Sequence, residues 1–181
     1  MKIYTKTGDG GETGLFGGKR VNKSNGRIAA FGHVDELNSL LSVCRAYNKN
    51  VFQEQILRKL QHELFVLGAD LATPLDSPLK IKRIGKADVT QLEKWIDAIA
   101  LKIKPLRNFI LPGGNLLASH LHLARAVCRR AERGVVLLKT LESINEIALV
   151  YLNRLSDLLF MMGRYANKLE NEKEEKWVSA Q

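Results

Sequence analysis

The strongest limit on how this chain folds is a series of apolar stripes that recur at helical spacing. Between residues 27 and 47, apolar side chains return every three or four positions along much of the stretch, at Ile28, Phe31, Leu37, Leu40, Leu41 and Cys44. A similar spacing continues between residues 51 and 71. Such a period is typical of amphipathic helices, which bury one face and expose the other. Two long helices are therefore predicted in this part of the chain.

Three more helices are predicted in the remaining sequence. Asp88 can cap a short helix that runs through Trp95. Apolar stripes over residues 117–135 and 144–169 mark a long fourth helix and a last one. The segments ATPLDSPLKIKRIGKAD and PLRNFILPGGN contain the proline and glycine residues that interrupt regular structure. Five helices with few strand signals predict an all-α five-helix bundle.

Composition predicts one soluble domain. With 181 residues, of which 45% are hydrophobic, the chain can build its own core. We divide the domain into an N-terminal loop over residues 1–26, a helical bundle over 27–169 and a polar, solvated tail over 170–181. No apolar run reaches the roughly 20 residues that span a membrane, and the N-terminus has no hydrophobic signal core. We therefore expect a cytoplasmic protein without a membrane partner, with Cys44 and Cys128 as buried free thiols.

The N-terminal loop, TKTGDGGETGLFGGKR, is rich in glycine, threonine and basic residues. Glycines let backbone N–H groups approach an anion closely, so the composition suits a phosphate site. A Walker A loop, however, would need glycine in place of Thr13 and serine or threonine in place of Arg20. A dinucleotide fingerprint that starts at Gly8 meets Thr13 instead of its third glycine. On the residues alone, the loop is either a flexible arm or a nucleotide site.

A cationic helix face follows in LHLARAVCRRAERGVV, where Arg125, Arg129, Glu132 and Arg133 share one side of the predicted helix. Guanidinium groups that are partly buried in an apolar helix suit phosphate recognition. The competing interpretation is a solvated stripe in which Glu132 pairs with Arg129. The formal charge of +9 also permits a surface for nucleic acids.

Two polar residues interrupt other apolar stripes. Asp35 lies in GHVDELNSLL, where a buried carboxylate needs a partner such as arginine. Asn153 lies in YLNRLSDLLF, and a buried amide there needs hydrogen-bond partners, either in another helix or in a ligand. The chain has no Glu-x-x-His motif for a di-iron centre, and His120 and His122 point to different sides of their helix, so no metal site is predicted. No Ser/His/Asp or Cys/His catalytic arrangement can be assigned either.

Five sequence blocks occur in order along nearly the whole chain: IYTKTGDGGETGLF, RIAAFGHVDELNSLL, FILPGG, ARAVCRRAER and YLNRLSDLLFMMGRYAN. Together they resemble the PduO-type ATP:cob(I)alamin adenosyltransferases, which are corrinoid adenosyltransferases. The resemblance implies a ferritin-like five-helix bundle, a glycine-rich nucleotide loop and a homotrimer. It also implies active sites between subunits, where the loop of one chain meets helices of its neighbour.

The resemblance further implies which residues bind the substrates. The ATP-binding positions fall on Thr5, Lys6, Thr7, Gly8, Thr13, Gly14, Lys23, Arg129, Arg130, Ala131, Glu132, Arg133 and Asn153. Asp35 and Arg125 match an ion pair between subunits beside the corrinoid, and Phe109 matches the aromatic residue under the corrin ring. One departure is Gly10, where many relatives carry lysine, so one phosphate contact is either missing or supplied by Lys19.

The implied reaction is transfer of the 5′-deoxyadenosyl group of ATP to Co(I), with triphosphate leaving and Mg²⁺ accompanying ATP. Cobalamin is a substrate, and Phe109 would displace the lower ligand of Co(II) and so ease its reduction. The further partners expected are a reductase and an adenosylcobalamin-dependent client enzyme. The alternative function is a basic helical nucleic-acid-binding protein, although the chain has no recognised reader motif.

Overall fold

A computed structural model describes residues 2–178 and contains five helices and two short strands. The strands are β1 (Glu12–Gly14) and β2 (Arg20–Asn22), and the helices are α1 (Gly26–Tyr47), α2 (Val51–Ala72), α3 (Lys86–Ala100), α4 (Leu116–Leu141) and α5 (Ile147–Leu169). The predicted five-helix bundle is confirmed, with a small hairpin before it. Residue 1 of the predicted loop and residues 179–181 of the predicted tail lie outside the described residues. No helix in the described range is long and apolar enough to cross a membrane.

Asparagine side chains set the start of three helices. The Oδ1 atoms of Asn25, Asn50 and Asn115 accept hydrogen bonds from N–H groups in the first turn, at 2.9, 3.0 and 2.9 Å. These bonds satisfy donors that have no partner inside the helix. Asp88 does not occupy the N-cap position of α3 as predicted. It lies in the first turn and accepts a hydrogen bond from the N–H of Gly85 at 2.9 Å.

The core lies between the four long helices. The ring of Tyr47, at the end of α1, stacks on His120, near the start of α4, and Glu36 pairs with Arg130 further along. These two contacts show that α1 and α4 run antiparallel. α2 packs on α1, α5 packs on α4, and α3 packs against α5. Leucine side chains of all these helices are buried in one contiguous cluster. The apolar stripes of the sequence thus meet in a single core.

Both cysteines are buried free thiols, as predicted. Burial raises the pKa of the Cys44 thiol to about 12 and also raises that of Cys128. Neither thiol ionises at neutral pH, so neither is a reactive nucleophile.

The connection between α2 and α3 is tied to the bundle by the buried side chain of Asp70. Its carboxylate accepts hydrogen bonds from the N–H of Ile84 at 3.2 Å and from the amide of Asn145 at 2.7 Å, and it pairs with Arg83. The Asn145 side chain also accepts a hydrogen bond from the N–H of Ile147 at 3.2 Å. This bond lies at the start of α5, which begins at Ile147, three residues later than predicted.

A carboxylate is buried between α2 and α5. Glu63 is 3% exposed, and it accepts a hydrogen bond from the Tyr151 hydroxyl at 2.8 Å and lies 3.4 Å from the ammonium of Lys59. Burial is the main cause that raises the pKa of Glu63 above its ordinary value of 4.5. Because the folded state then binds the proton more tightly than the unfolded state, this residue's contribution to stability falls as pH rises from 4.5 through the raised pKa.

We predict that Glu63→Gln stabilises the protein at neutral pH. Glutamine keeps an acceptor for the Tyr151 hydroxyl and removes the cost of burying a charge. Urea unfolding measured at a series of pH values above 4.5 should show a stability gain that grows with pH. The control is Glu54→Gln, since the hydrogen bond from Arg45 lowers the pKa of Glu54 and its loss should destabilise instead. A gain at Glu63 that stays constant with pH would contradict the prediction.

Candidate active site

The N-terminal loop folds as a hairpin that gathers most of the predicted nucleotide-binding residues. β1 and β2 pair antiparallel. Before β1 the chain makes two turns, in which the N–H of Asp9 donates to the carbonyl of Lys6 and the N–H of Gly11 to that of Gly8, at 3.3 and 3.2 Å. The N–H of Lys23 donates to the carbonyl of Gly11 at 2.8 Å, which places Lys23 beside these turns.

Several backbone donors of this loop are free. Within residues 2–178, no backbone acceptor receives the N–H groups of Lys6, Thr7, Gly8 and Gly10. The ammonium of Lys23 comes within 3.4 Å of the position that a Cβ on Gly8 would take. Free N–H groups beside an ammonium group form a cradle for an anion such as a phosphate.

Arg20 holds the hairpin from its second strand. Its guanidinium donates to the carbonyl of Thr7 at 2.7 Å and to the carboxylate of Glu12 at 3.3 Å. The hydroxyls of Thr5 and Thr7 lie 2.9 Å apart. The hairpin and the turns beside it contain the predicted residues Thr5, Lys6, Thr7, Gly8, Thr13, Gly14 and Lys23.

Gly10 stands in open space in this loop. A Cβ at this position would meet no atom within 4 Å, and the backbone there is not in the left-handed region. A longer side chain therefore fits at Gly10 without a change in the hairpin. Lys19, the predicted substitute for a lysine at this position, is exposed just before β2.

The cationic side of α4 borders a cleft of about 630 Å³ between α3, α4 and α5. Its charged lining residues are Arg125, Arg129, Arg154, Glu93, Asp97 and Asp157. Arg154 donates to Glu93 at 3.0 Å and to Asp157 at 3.1 Å, and the bond to Glu93 is the main cause that raises the pKa of Arg154. Within the described residues, Arg125 and Arg129 form no ion pair. The cleft thus contains two guanidinium groups whose charge is not neutralised.

Arg125 is half-buried, and in the described part of the chain its water-excluded Nε atom has no acceptor. A buried donor without a partner costs about 1–3 kcal/mol, so the site favours a partner from outside the chain. Burial, and then the charge of Arg125, lower the pKa of His122. Arg129 and Arg133 are exposed, so the prediction that Arg129 is partly buried is wrong.

Glu132 and Asn153 meet between α4 and α5. The amide of Asn153 donates to Oε1 of Glu132 at 3.2 Å. Asn153 is exposed, so the prediction of a buried amide is wrong, whereas the expected contact with another helix is present. The alternative pairing of Glu132 with Arg129 is not found among residues 2–178.

Two of the predicted ATP-binding positions on α4 are already engaged. Ala131 is fully buried in the core, and Arg130 forms an ion pair with Glu36 of α1. The side chains that stay available to a ligand on this face are those of Arg129, Glu132 and Arg133.

Asp35 and Arg125 lie in different clefts of the chain. Asp35 is exposed and borders a cleft of about 290 Å³ beside α1 and α2, which also contacts Leu15 and Phe16. Arg125 borders the cleft between α3, α4 and α5. The structure therefore does not pair the two residues within one chain. The prediction that Asp35 is buried in its helix is wrong.

The cleft beside Asp35 is mainly apolar. Phe16, Phe31 and Phe65 line it, and Phe16 and Phe65 are 54% and 73% exposed. Exposed aromatic rings grouped on a helical bundle mark a contact surface. The sequence pattern could not identify this surface, because Phe65 fits the apolar stripe of α2 as well as its buried neighbours do.

Phe109 lies in the loop between α3 and α4, and its ring is 79% exposed. The loop ends in a turn where Gly114 adopts a φ of +106°, and a Cβ there would clash with Asn167. The Asn167 amide donates to the carbonyl of Gly113 at 2.9 Å and accepts the N–H of Asn115 at 3.0 Å. The FILPGG motif is thus attached to α5, whereas the ring of Phe109 stays outside the core.

The C-terminal tail returns to this loop. The N–H of Leu111 donates to the carbonyl of Glu175, and the N–H of Trp177 donates to the carbonyl of Phe109, both at 2.9 Å. These bonds form an isolated antiparallel bridge. Most side chains of the tail are exposed, as predicted, but its backbone is attached to the Phe109 loop.

Comparisons of the sequence with known proteins agree with these observations. The profile of a family described as cobalamin adenosyltransferase matches residues 3–166 of this chain. A corrinoid adenosyltransferase of Citrobacter freundii is 44% identical over 164 residues, which are 90% of this chain and 93% of that relative. The corrinoid adenosyltransferase PduO of the same organism is 44% identical over 165 residues, which are 91% of this chain but 49% of that relative. This chain thus spans about half the length of the larger relative.

Solved structures of one enzyme share the fold. A phenylalanine-to-alanine variant of the PduO-type ATP:corrinoid adenosyltransferase from Lactobacillus reuteri, complexed with cobalamin and ATP, matches with a TM-score of 0.95 at 40% identity. The match covers 98% of this chain and 100% of that chain. An arginine-to-lysine variant from the same organism, complexed with ATP, gives a TM-score of 0.91 at 41% identity, and covers 97% of this chain and 100% of that chain.

We predict that Phe109→Ala changes the free energy of unfolding by less than about 0.5 kcal/mol, because substitutions of exposed side chains rarely do more. The matched control is Leu121→Ala, at a fully buried position of α4, which should cost about 2–5 kcal/mol. Urea unfolding of both variants compares them. A loss at Phe109 as large as that at Leu121 would mean that the ring packs in the core.

Proposed function

This chain belongs to the cobalamin adenosyltransferase family, and from that premise we propose that it transfers the 5′-deoxyadenosyl group of ATP to the cobalt of a corrinoid. Inorganic triphosphate is the second product. The observation that carries the proposal is the overlap of nearly the whole chain with the Lactobacillus reuteri enzyme that is complexed with cobalamin and ATP.

The triphosphate is held from two sides. The hairpin supplies the free N–H groups of residues 6–8 and the ammonium of Lys23, and α4 supplies the guanidinium groups of Arg129 and Arg133. Within residues 2–178, no hydrogen bond joins the hairpin to these arginines. We infer that the hairpin of one copy meets α4 of another, in a homotrimer with active sites between subunits. The free donors of the hairpin and the unpaired arginines of α4 support this arrangement.

Magnesium enters this site together with ATP. Glu132 and Asn153 lie side by side and carry oxygen atoms, the ligand type that Mg²⁺ prefers. The described residues contain no group of three or more His, Cys, Asp or Glu that could hold a metal ion without a ligand. Because Mg²⁺ commonly takes one or two protein oxygens and completes its shell with phosphates and water, this donor set fits. Glu132 would hold the ion, whose charge would offset that of the triphosphate.

The reaction is a displacement at carbon. The electron pair of Co(I) attacks C5′ of the ribose, the C5′–O bond breaks, and its electron pair leaves on the triphosphate, so cobalt is oxidised to Co(III). Because Co(I) is itself a strong nucleophile, the chain needs no nucleophilic side chain or general base. Its residues align the two substrates and neutralise the charge that develops on the leaving oxygen.

Phe109 acts earlier, when Co(I) is formed. A lower axial ligand stabilises Co(II), and the ring of Phe109 displaces that ligand and makes the metal easier to reduce. The 79% exposure of the ring leaves it available for this contact. A separate cytoplasmic reductase supplies the electron, and an adenosylcobalamin-dependent client enzyme receives the product.

Absorption spectroscopy tests the proposed activity. Chemically reduced Co(I)alamin mixed with the protein and MgATP should form adenosylcobalamin, with an equal amount of triphosphate. Leaving out the protein or ATP should abolish the product. A folded protein that forms none would overturn the proposal. The nucleic-acid alternative, which is favoured by the charge of +9 and by the arginine row of α4, predicts instead tight DNA or RNA binding that weakens steeply with salt.

We predict that Asp35→Arg and Arg125→Asp each reduce adenosylation by roughly 10- to 100-fold, because each places like charges across the proposed subunit interface. The double variant should recover much of the loss, since every interface then carries the reversed pair. Size-exclusion chromatography and melting curves accompany the assay. Losses that simply add in the double variant would show that the two residues do not pair.

We predict that Gly10→Lys tightens MgATP binding by about 3- to 10-fold, because an ammonium group beside a phosphate adds a charge-assisted contact. The control, Gly10→Gln, fills the same open space without charge. Calorimetric titration at two salt concentrations should show a gain for lysine alone, and the gain should shrink at high salt. Equal affinities of the lysine and glutamine variants would place Gly10 outside the phosphate site.

A further inference from the structure

The position of the Phe109 ring is decided by backbone contacts, because the ring itself makes little contact with the core. Its side chain is 79% exposed. The carbonyl of Phe109 accepts a hydrogen bond from the N–H of Trp177, and the N–H of Leu111 donates to Glu175 in the same short pairing. The tail therefore sets the path of the backbone at the residue that carries the ring.

One buried side chain ties this tail to the bundle. Arg164 of α5 is 6% exposed, and its Nε and a terminal nitrogen donate to the two carboxylate oxygens of Glu174, at 2.7 and 3.1 Å. The terminal nitrogen also donates to the carbonyl of Lys104 at 2.9 Å. The same guanidinium thus holds the segment that leads into the Phe109 loop and the segment that pairs with it.

The other end of the loop is held from the same turn of α5. Asn167, three positions after Arg164, bonds to Gly113 and Asn115. Bidentate pairs of arginine with a carboxylate fix geometry more strictly than single contacts, and a buried pair is screened little by water. The loop is therefore attached to α5 before and after Phe109, and Glu174 is the attachment that the tail contributes.

We infer that Arg164 and Glu174 are positioning residues for Phe109: they hold the backbone pairing that aims its ring at the lower face of the corrinoid. The inference rests on the proposed function. Neither residue needs to touch the corrinoid or ATP. Loss of the pair should leave nucleotide binding and transfer from Co(I) intact and should impair only the displacement of the lower ligand.

The test compares Glu174→Gln with Glu142→Gln in the full chain. Glu142, like Glu174, accepts a hydrogen bond from a buried arginine. Its partner is Arg27, at 2.6 Å, which is 2% exposed. Arg27 lies far from Phe109 in the sequence. Both variants lose an ion pair with a buried arginine, so the control reports the effect of lost stability alone. Electron paramagnetic resonance of Co(II)alamin with MgATP measures the ratio of four-coordinate to five-coordinate cobalt.

Glu174→Gln should lower this ratio by about tenfold and slow the reaction from Co(II) equally, because a hydrogen bond between charged groups is lost. The rate from chemically prepared Co(I) and the affinity for MgATP should match the wild type. Glu142→Gln should leave the ratio unchanged. A spectrum of Glu174→Gln identical to that of the wild type, or an equal change in Glu142→Gln, would overturn the inference.

A second pair of variants tests the backbone bond. Trp177→Pro removes the N–H that the Phe109 carbonyl accepts, whereas Trp177→Ala removes the same side chain and keeps this donor. The proline variant should show the lower fraction of four-coordinate Co(II). Equal spectra for the two variants would overturn the inference. Failure of the wild type to make adenosylcobalamin from Co(I) would instead overturn the proposed function, so the two failures are distinguishable.

Discussion

The packing of α4 between α1 and α5 supports both the core and the candidate site. One side of α4 is fully buried, at Ala118, Leu121, Ala124, Cys128, Ala131, Val135 and Leu138. Burial of apolar area contributes roughly 25 cal/mol per Å², so this side sets the rotation of the helix. With 3.6 residues per turn, Arg125, Arg129 and Arg133, which are four positions apart, then form a row along one edge of this buried side. The hydrophobic effect thus determines where the cations lie.

The same packing separates the parts of the candidate site. Asp35 and the exposed aromatic rings lie beside α1 and α2, whereas Arg125 borders the cleft between α3, α4 and α5. Within the described residues, the Nε atom of Arg125 and several backbone N–H groups of the hairpin have no hydrogen-bond partner. Incomplete polar contacts on two surfaces of one chain are what a site shared between copies requires. The proposed intersubunit site would supply partners to these groups.

The Phe109 loop shows a different arrangement, in which an exposed side chain is positioned by buried polar groups. Glycine at position 114 and the Asn167 amide fix one end, and the buried guanidinium of Arg164 fixes the other. The ring of Phe109 thus stays exposed, while the loop that carries it is attached to α5 at both ends. The FILPGG motif drew attention to Phe109 alone. Arg164, like Asp35, is a charged residue within an apolar stripe of the sequence, and of the two only Arg164 is buried.

The positions of the helices are local properties of the sequence. The apolar period placed α1 and α2 within one residue of their observed starts, and the glycine-rich composition left the N-terminal loop as either a flexible arm or a nucleotide site. Family motifs then indicated the activity.

The orientation of individual side chains could not be predicted in the same way. Asp35, Asn153 and Phe65 lie in apolar stripes, yet all three are exposed. An apolar period fixes which residues share a side of a helix, but the width of the buried strip is set by the neighbouring helices. Contacts such as that of Arg164 with Lys104, 60 positions apart, exist only after the helices pack, because the spacing of two residues that lie far apart in the sequence does not determine their distance in space.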